Sequence, residues 1–122
     1  MRAAKLREAV QRFQRESERI TRAHGLSLQR YILLLMVKTG RAAAGRATLA
    51  ELMERLALAQ STVVELVDRA EQAHLVRREL AGTSRRLVHV ALTDKGDALL
   101  AAVVAELALQ RQRLVSILAQ LD

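Results

Sequence analysis

The chain has 122 residues, 51% of them hydrophobic, and it carries 20 Lys and Arg against 13 Asp and Glu, a formal net charge of +7. This length suits one domain with an apolar core, and the excess positive charge favours a polyanionic partner without identifying one. The absence of cysteine excludes disulfides and thiolate chemistry, and the presence of only two aromatic residues argues against single-stranded nucleic acid, whose bases stack on aromatic rings. No apolar run is long enough for a transmembrane helix and the N-terminus lacks the apolar core of a signal peptide, so we expect a cytoplasmic location and no membrane partner.

The first predicted element is an amphipathic helix over residues 3–24. Its apolar face runs from Leu6 to Ile20 at spacings of four and three, which is the period of a helix. Gly25 follows in the position of a C-cap and is expected to end this helix.

The next part of the chain predicts a buried helix, a loop and the start of a third helix. Ser27 is expected to cap a helix that runs to about Lys38 and is apolar almost all round. Residues 39–47 contain two glycines and are expected to form a loop. Thr48 and Glu51 have the spacing of a capping box, in which each side chain accepts from the other residue's backbone N–H.

A helix-turn-helix and a hairpin follow. A short break at residues 57–59 separates the third helix from a fourth over 60–73, and so short a connection suggests a helix-turn-helix. Alternating apolar and polar residues then predict a β-hairpin with strands 75–80 and 87–92. A hairpin placed directly after a recognition helix is a wing, here residues 77–90.

The last predicted element is one long helix over residues 94–122. Thr93 is expected to cap it, with Asp94 near its positive end. Apolar residues repeat along it by four and three as a heptad seam that is polar only at Arg111. Because a chain this short has no further element to cover such a helix, the seams of the first and last helices predict a homodimer. The expected interface residues are Leu6, Val10, Phe13, Ile20, Leu100, Val104, Leu107, Leu114, Leu118 and Leu121.

Two stretches of this sequence resemble a known family. STVVELVDRAEQAHLVRR and SRRLVHVALTDKG resemble the core of the MarR family of winged-helix bacterial transcription regulators, and LSLQRYILLL resembles that family's second helix. The resemblance implies an obligate homodimer joined through its first and last helices, with a winged-helix lobe in each subunit that binds pseudo-palindromic double-stranded DNA. Many family members release DNA when a small aromatic acid binds, so a small aromatic or acidic effector is also implied, at residues that the sequence does not identify.

The expected fold is therefore mainly α with a small β-hairpin. A single domain over 1–122 would comprise a winged helix-turn-helix lobe at 27–93 and long dimerisation helices at 1–24 and 94–122. With double-stranded DNA as the expected partner, the expected location is the cytoplasm, in association with the nucleoid.

The sequence departs from the family pattern at the wing and in the recognition helix. Ser84 stands where the family usually has an Asp at the wing tip, while Arg86 occupies the Arg position. Val64 and Glu65 stand where a polar residue followed by Arg is common, and Ala59 stands where a capping Ser or Asp is common. Val64 could contact a thymine methyl group and Glu65 could accept from cytosine N4.

The predicted DNA contacts divide between helix and wing. The first turns of the helix are expected to read the major groove, while wing arginines reach the flanking backbone or minor groove. Residues 60–73 have a net charge of −2 and residues 77–86 a net charge of +3, so non-specific affinity is expected from the wing and from Arg46. The predicted DNA-binding residues are Arg46, Thr48, Gln60, Ser61, Thr62, Val64, Glu65, Arg69, Arg77, Arg85 and Arg86.

The function predicted is that of a sequence-specific DNA-binding transcriptional regulator, in particular a repressor. The acidic recognition helix and the missing wing Asp leave open an alternative: a winged-helix dimer without sequence-specific DNA binding that serves as a protein-interaction or regulatory module. No nucleophile–base pair, phosphate loop or paired catalytic carboxylates are present, so no enzyme and no cofactor are expected. The three histidines, His24, His74 and His89, are too scattered to predict a metal site.

Overall fold

The computed structural model of the chain describes residues 1–42, 45–80 and 88–121. It confirms a mainly helical fold with a small antiparallel sheet. The described elements are, in chain order, α1 (Arg2–Ala23), α2 (Leu28–Lys38), β1 (Arg46–Thr48), α3 (Leu49–Leu56), α4 (Gln60–Gln72), β2 (Val76–Leu80), β3 (Val88–Leu92), α5 (Asp94–Glu106) and α6 (Ala108–Gln120).

The chain divides into two compact units. The first comprises Met1–Leu28 together with Ala101–Asp122, and the second comprises Gln29–Leu100. The second unit therefore holds the helix-turn-helix and the sheet. It covers residues 29–93 of the predicted lobe and also includes the first turns of α5.

The core of the second unit is built from the inward faces of its helices and of the sheet. The helix α2 is buried along much of its surface, as its apolar sequence predicted. Burying these aliphatic side chains is the main favourable term that holds the unit together. The fully buried side chains of this core include Leu33, Leu34, Val37, Leu52, Val63, Val67, Ala70 and Val90.

The sheet has three strands in the order β1-β3-β2, and both outer strands pair antiparallel with β3. The two long strands confirm the predicted hairpin. The sequence predicted a loop at residues 39–47, and this was incomplete because Arg46–Thr48 form the third strand. Three residues are too few to show an alternating pattern, so the pairing of Arg46 with Ala91 could be found only from the fold.

The predicted helix ends are mostly confirmed. Gly25 follows α1 with a φ of +76°, and its N–H donates to the Arg22 carbonyl at 2.9 Å. Thr93 Oγ1 accepts from the Gly96 amide at 3.0 Å at the start of α5. The capping box is only half formed. Thr48 Oγ1 accepts from the Glu51 amide at 3.1 Å, whereas the Glu51 carboxylate accepts from the Arg41 amide at 2.9 Å.

The predicted last helix is divided at Leu107, so the expectation of one continuous helix was wrong. α5 ends at Glu106 and α6 begins at Ala108. The guanidinium of Arg111 donates from Nη1 to the Val104 carbonyl at 2.8 Å, which satisfies a backbone acceptor beside the break. The one polar residue in the apolar seam therefore has a structural role at the division of the two helices.

Candidate nucleic-acid interface

The N-terminal half of α4 exposes a polar face. Val63 and Val67 are fully buried on the opposite side of the helix. Gln60, Ser61 and Thr62 are exposed as predicted, together with Glu65, while Val64 is half-buried. Ala59 precedes the helix and provides no side-chain cap. The first backbone N–H groups of α4, which carry the positive end of the helix dipole, are therefore not capped by the side chain of the N-cap residue.

The acidic residues of α4 are all held by arginines. Glu65 Oε1 accepts from Arg69 Nη2 at 2.6 Å, one turn along the same helix. Asp68 and Glu71 accept from the guanidinium of Arg78 on β2 at 2.6 and 2.7 Å. The net charge of −2 counted over residues 60–73 therefore overstates how strongly this helix repels a phosphate backbone.

Arg46, Arg77 and Glu79 form a second group of charges, here called the Glu79 cluster. Arg46 and Arg77 both pair with Ala91 of β3, one from each side, and the small alanine leaves room for the two long side chains. Arg46 Nε donates to Glu79 Oε2 at 2.6 Å, and Arg77 Nε donates to Glu79 Oε1 at 2.7 Å.

The arginines of the Glu79 cluster stabilise the carboxylate. Hydrogen bonds from Arg46 and then Arg77 lower the pKa of Glu79 from 4.5 to about 2. The same hydrogen bond and the charge of Glu79 raise the pKa of Arg46. Two of the predicted DNA-binding arginines are thus bonded to the same carboxylate.

A polar cavity of about 190 Å³ adjoins the Glu79 cluster. Arg46 and Arg77 line one part of it, and Lys38, Asp94 and Asp97 line another. Lys38 Nζ donates to Asp97 Oδ1 at 2.7 Å, so one cation and one anion of the lining already form an ion pair.

The remaining predicted contacts have different placements. The Thr48 hydroxyl is engaged in capping α3, so its oxygen serves the fold. Arg69 is exposed but bonded to Glu65. Ser84, Arg85 and Arg86, the predicted wing tip, lie outside the described residues.

The first unit carries an apolar groove of about 620 Å³ between α1 and α6. Phe13, Leu109 and Ile117 line it, and Gln110 Oε1 is buried there without a hydrogen-bond partner among the described residues. None of the described residues of α6 is buried, although several are large and apolar. Of the predicted interface residues, Ile20, Leu100 and Leu107 are buried within the chain's own core.

Other ligand chemistry finds little support among the described residues. His24 Nε2 lies 2.8 Å from Glu106 Oε1, and His74 stands in the turn after α4 with a φ of +61°. Within residues 1–42, 45–80 and 88–121, no group of three or more His, Asp or Glu could hold a metal ion. In the same residues no helix has the length and hydropathy needed to cross a membrane.

Comparison with known proteins connects this geometry to a family. The model of a winged helix DNA-binding domain matches residues 29–96, more than half of the chain. No curated protein is significantly similar to this chain in sequence.

Several solved structures share the fold. AbsC, a MarR family transcriptional regulator from Streptomyces coelicolor, is 22% identical with a TM-score of 0.75, and the match covers 88% of this chain and 71% of AbsC. YusO from Bacillus subtilis is 26% identical with a TM-score of 0.70, over 97% of this chain and 92% of YusO. A mutant MarR from E. coli complexed with operator DNA is 19% identical with a TM-score of 0.68, over 89% of this chain and 79% of that one. The matched model is thus that of a DNA-binding domain, and AbsC is a transcriptional regulator.

Proposed function

Because this chain belongs to the winged helix DNA-binding domain family and has the fold of MarR family regulators, we propose that it is a sequence-specific, double-stranded DNA-binding repressor that acts as a homodimer. The observation that carries this proposal is the polar N-terminal face of α4, where Ser61 and Thr62 are exposed while Val63 and Val67 anchor the helix. A docked recognition helix presents these first turns to the base edges.

The charge pairs of the second unit support DNA binding and weaken the alternative of a pure protein-interaction module. That alternative depended on the acidic recognition helix and on the missing wing Asp. The wing tip lies outside the described residues, while the three acidic side chains of α4 are bonded to two arginines, Arg69 and Arg78. Hydroxyl groups at Ser61 and Thr62 can bond to either base edge or phosphate. A relative of the same fold, the mutant MarR from E. coli, forms a complex with operator DNA.

The dimer part of the proposal is supported by the unfilled surface of the first unit. Leu118 on α6 is 42% exposed, and Leu6 on α1 is equally exposed. The second copy would cover the groove between α1 and α6. A two-fold dimer would also present two copies of α4 to the two halves of a pseudo-palindrome.

A small aromatic or acidic effector that releases the DNA belongs to the same proposal. It rests on the family resemblance, and no described pocket is assigned to it.

Selection of bound duplexes from a random-sequence pool tests the proposed function. We expect an enriched, two-fold related motif whose half-sites are about one helical turn, or about 10 base pairs, apart. Binding without any enriched sequence would contradict the reading role of α4 and would favour the protein-interaction module.

A further inference from the structure

Arg78 joins the recognition helix to the sheet through three hydrogen bonds. Its Nη2 donates to Asp68 Oδ1 at 2.6 Å and its Nη1 donates to Glu71 Oε1 at 2.7 Å. Its backbone N–H donates to the other oxygen of Glu71 at 3.3 Å. Because the guanidinium is planar, charge-assisted bonds from both of its terminal nitrogens fix the orientation of Arg78 relative to α4 as well as the distance between them.

The alternation of β2 separates Arg78 from the neighbouring arginine. Successive side chains of a strand point to opposite faces, so Val76 and Arg78 share one face while Arg77 and Glu79 share the other. Val76 is buried and Arg78 pairs with the fully buried Val90, which identifies their face as the one turned to the core. Arg78 and Arg77 therefore carry the same charge on the same strand, but only the Arg78 guanidinium, of these two, is bonded to α4 in the described structure.

The C-terminal end of α4 is held independently of Arg78. Thr93 Oγ1 donates to the His74 carbonyl at 2.6 Å, and Lys95 Nζ donates to the Ala73 carbonyl at 3.1 Å. A Cβ at Gly96 would lie 2.0 Å from the Leu75 carbonyl oxygen, so the start of α5 approaches this turn as closely as a backbone can. This anchoring fixes the turn after α4. The Arg78 bonds to Glu71 in the last turn and to Asp68 in the turn before add directional contacts to the apolar packing of the helix.

We propose that Arg78 is a positioning residue for sequence recognition, which sets the angle between α4 and strand β2. This inference rests on the proposed DNA-binding function. Ser61 precedes Asp68 by seven residues, about 10 Å along a helix axis. A small rotation of α4 about the Arg78 contacts would therefore displace Ser61, at the end of the helix that is proposed to read bases, by a larger distance. Arg78 itself is not the phosphate contact, because its side chain is 27% exposed and its guanidinium is bonded to two carboxylates.

The test compares three variants that change charge in different directions. Arg78→Met breaks the contacts and removes one positive charge. Asp68→Asn with Glu71→Gln weakens the same contacts and removes two negative charges. Arg77→Met is the matched control, since it removes a positive charge from the opposite face of the same strand. Each protein is titrated with a duplex selected by the parent protein and with a random-sequence duplex of the same length.

The decisive quantity is the selectivity ratio, the dissociation constant for the random-sequence duplex divided by that for the selected duplex. Arg78→Met and the double acid variant should each lower this selectivity ratio by about tenfold, which is comparable to one mismatched base pair. Arg77→Met should weaken binding to both duplexes and leave the ratio within about twofold of the parent value. The double acid variant should bind the random duplex more tightly than the parent does, so its loss of selectivity cannot be attributed to lost positive charge.

If either variant remains folded, as shown by circular dichroism, and retains the parent's selectivity ratio, the positioning role is overturned. If the parent selects no sequence, the proposed function fails, and amide hydrogen exchange in the DNA-free protein then decides the role of Arg78. Exchange at the α4 amides should be about tenfold faster in Arg78→Met than in Arg77→Met. Equal exchange in these two variants would refute the inference.

Discussion

At the scale of single residues, carboxylates of the second unit bind three of the arginines that were predicted to contact DNA. Glu79 holds Arg46 and Arg77, and Glu65 holds Arg69. The exposed Glu65–Arg69 pair contributes little to stability, whereas the Arg46–Glu79 pair is part-buried. Each pair occupies a guanidinium that would otherwise attract phosphate. The charges counted in the sequence are thus not the charges that a DNA backbone meets.

Replacing Glu79 by Gln should release both arginines of the Glu79 cluster. We expect tighter binding to random-sequence duplex and a steeper dependence on salt, with a slope that increases in magnitude by up to about two units if both arginines reach phosphates. Salt titrations of the parent and Glu79→Gln measure this. Glu54→Gln, at an exposed position of α3, removes the same charge as the control. A slope equal to that of the control would show that Arg46 and Arg77 do not reach the DNA.

The Glu79 cluster also predicts a pH dependence of stability. The folded-state pKa of about 2 lies below the ordinary value of 4.5, so the contribution of Glu79 is present above pH 4.5 and is lost as the pH falls toward 2. Denaturant unfolding at several pH values should therefore show a larger decline over this window for the parent than for Glu79→Gln. Parallel curves would contradict the strong pairing of Glu79.

At the scale of secondary-structure elements, the sequence predicted what periodicity can encode. The bounds of α1 and α4 came within two residues of prediction because their apolar spacings are long and regular. β1 was missed because three residues show no period. The break was missed because Leu107 itself stays in the right-handed helical region, with φ −82° and ψ −2°, so the apolar spacing of four and three continues across it.

The partners of the charged residues were beyond the reach of sequence patterns. The exposed face at Ser61 and Thr62 followed from the helical period. Arg78 was not expected to bind Asp68, because pairing rules from sequence apply to neighbours within one helix and this contact joins a helix to a strand. Arg46 and Glu79 are 33 residues apart, and only the strand register brings them together.

Arg111→Met should destabilise the junction of α5 and α6. The substitution leaves the Val104 carbonyl without its donor, which typically costs about 1–2 kcal/mol of unfolding free energy for a charged donor. Denaturant unfolding at one fixed protein concentration measures the change. Arg113→Met, two residues along α6 at an exposed position, is the control. Equal costs for the two variants would exclude a structural role for the Arg111 bond.

At the scale of the whole molecule, the proposed dimer predicts a particle of twice the chain mass of 13.6 kDa. Leu118→Asp should dissociate it, because the partly exposed Leu118 would carry an unpaired charge into the interface. Leu107 is a poor site for this experiment, since it is 1% exposed within its own chain and an Asp there would unfold the protein.

Light scattering of the dilute protein measures the mass. Leu80→Asp, at an exposed position of β2 in the other unit, should leave the mass unchanged and so serves as the control. A stable, folded particle of 13.6 kDa for the parent chain would refute the dimer.

The division of the chain into two units has a consequence for its synthesis. The second unit is continuous, Gln29–Leu100, whereas the first is assembled from the two ends of the sequence. Since domains generally fold as units as they leave the ribosome, the DNA-binding unit can form while α6 is still untranslated. During that interval α1 has no α6 to contact, and its apolar side chains are available to chaperones or to other nascent chains. Residues translated after Leu100 therefore complete the first unit, and premature termination there would leave a folded winged helix attached to an incomplete first unit.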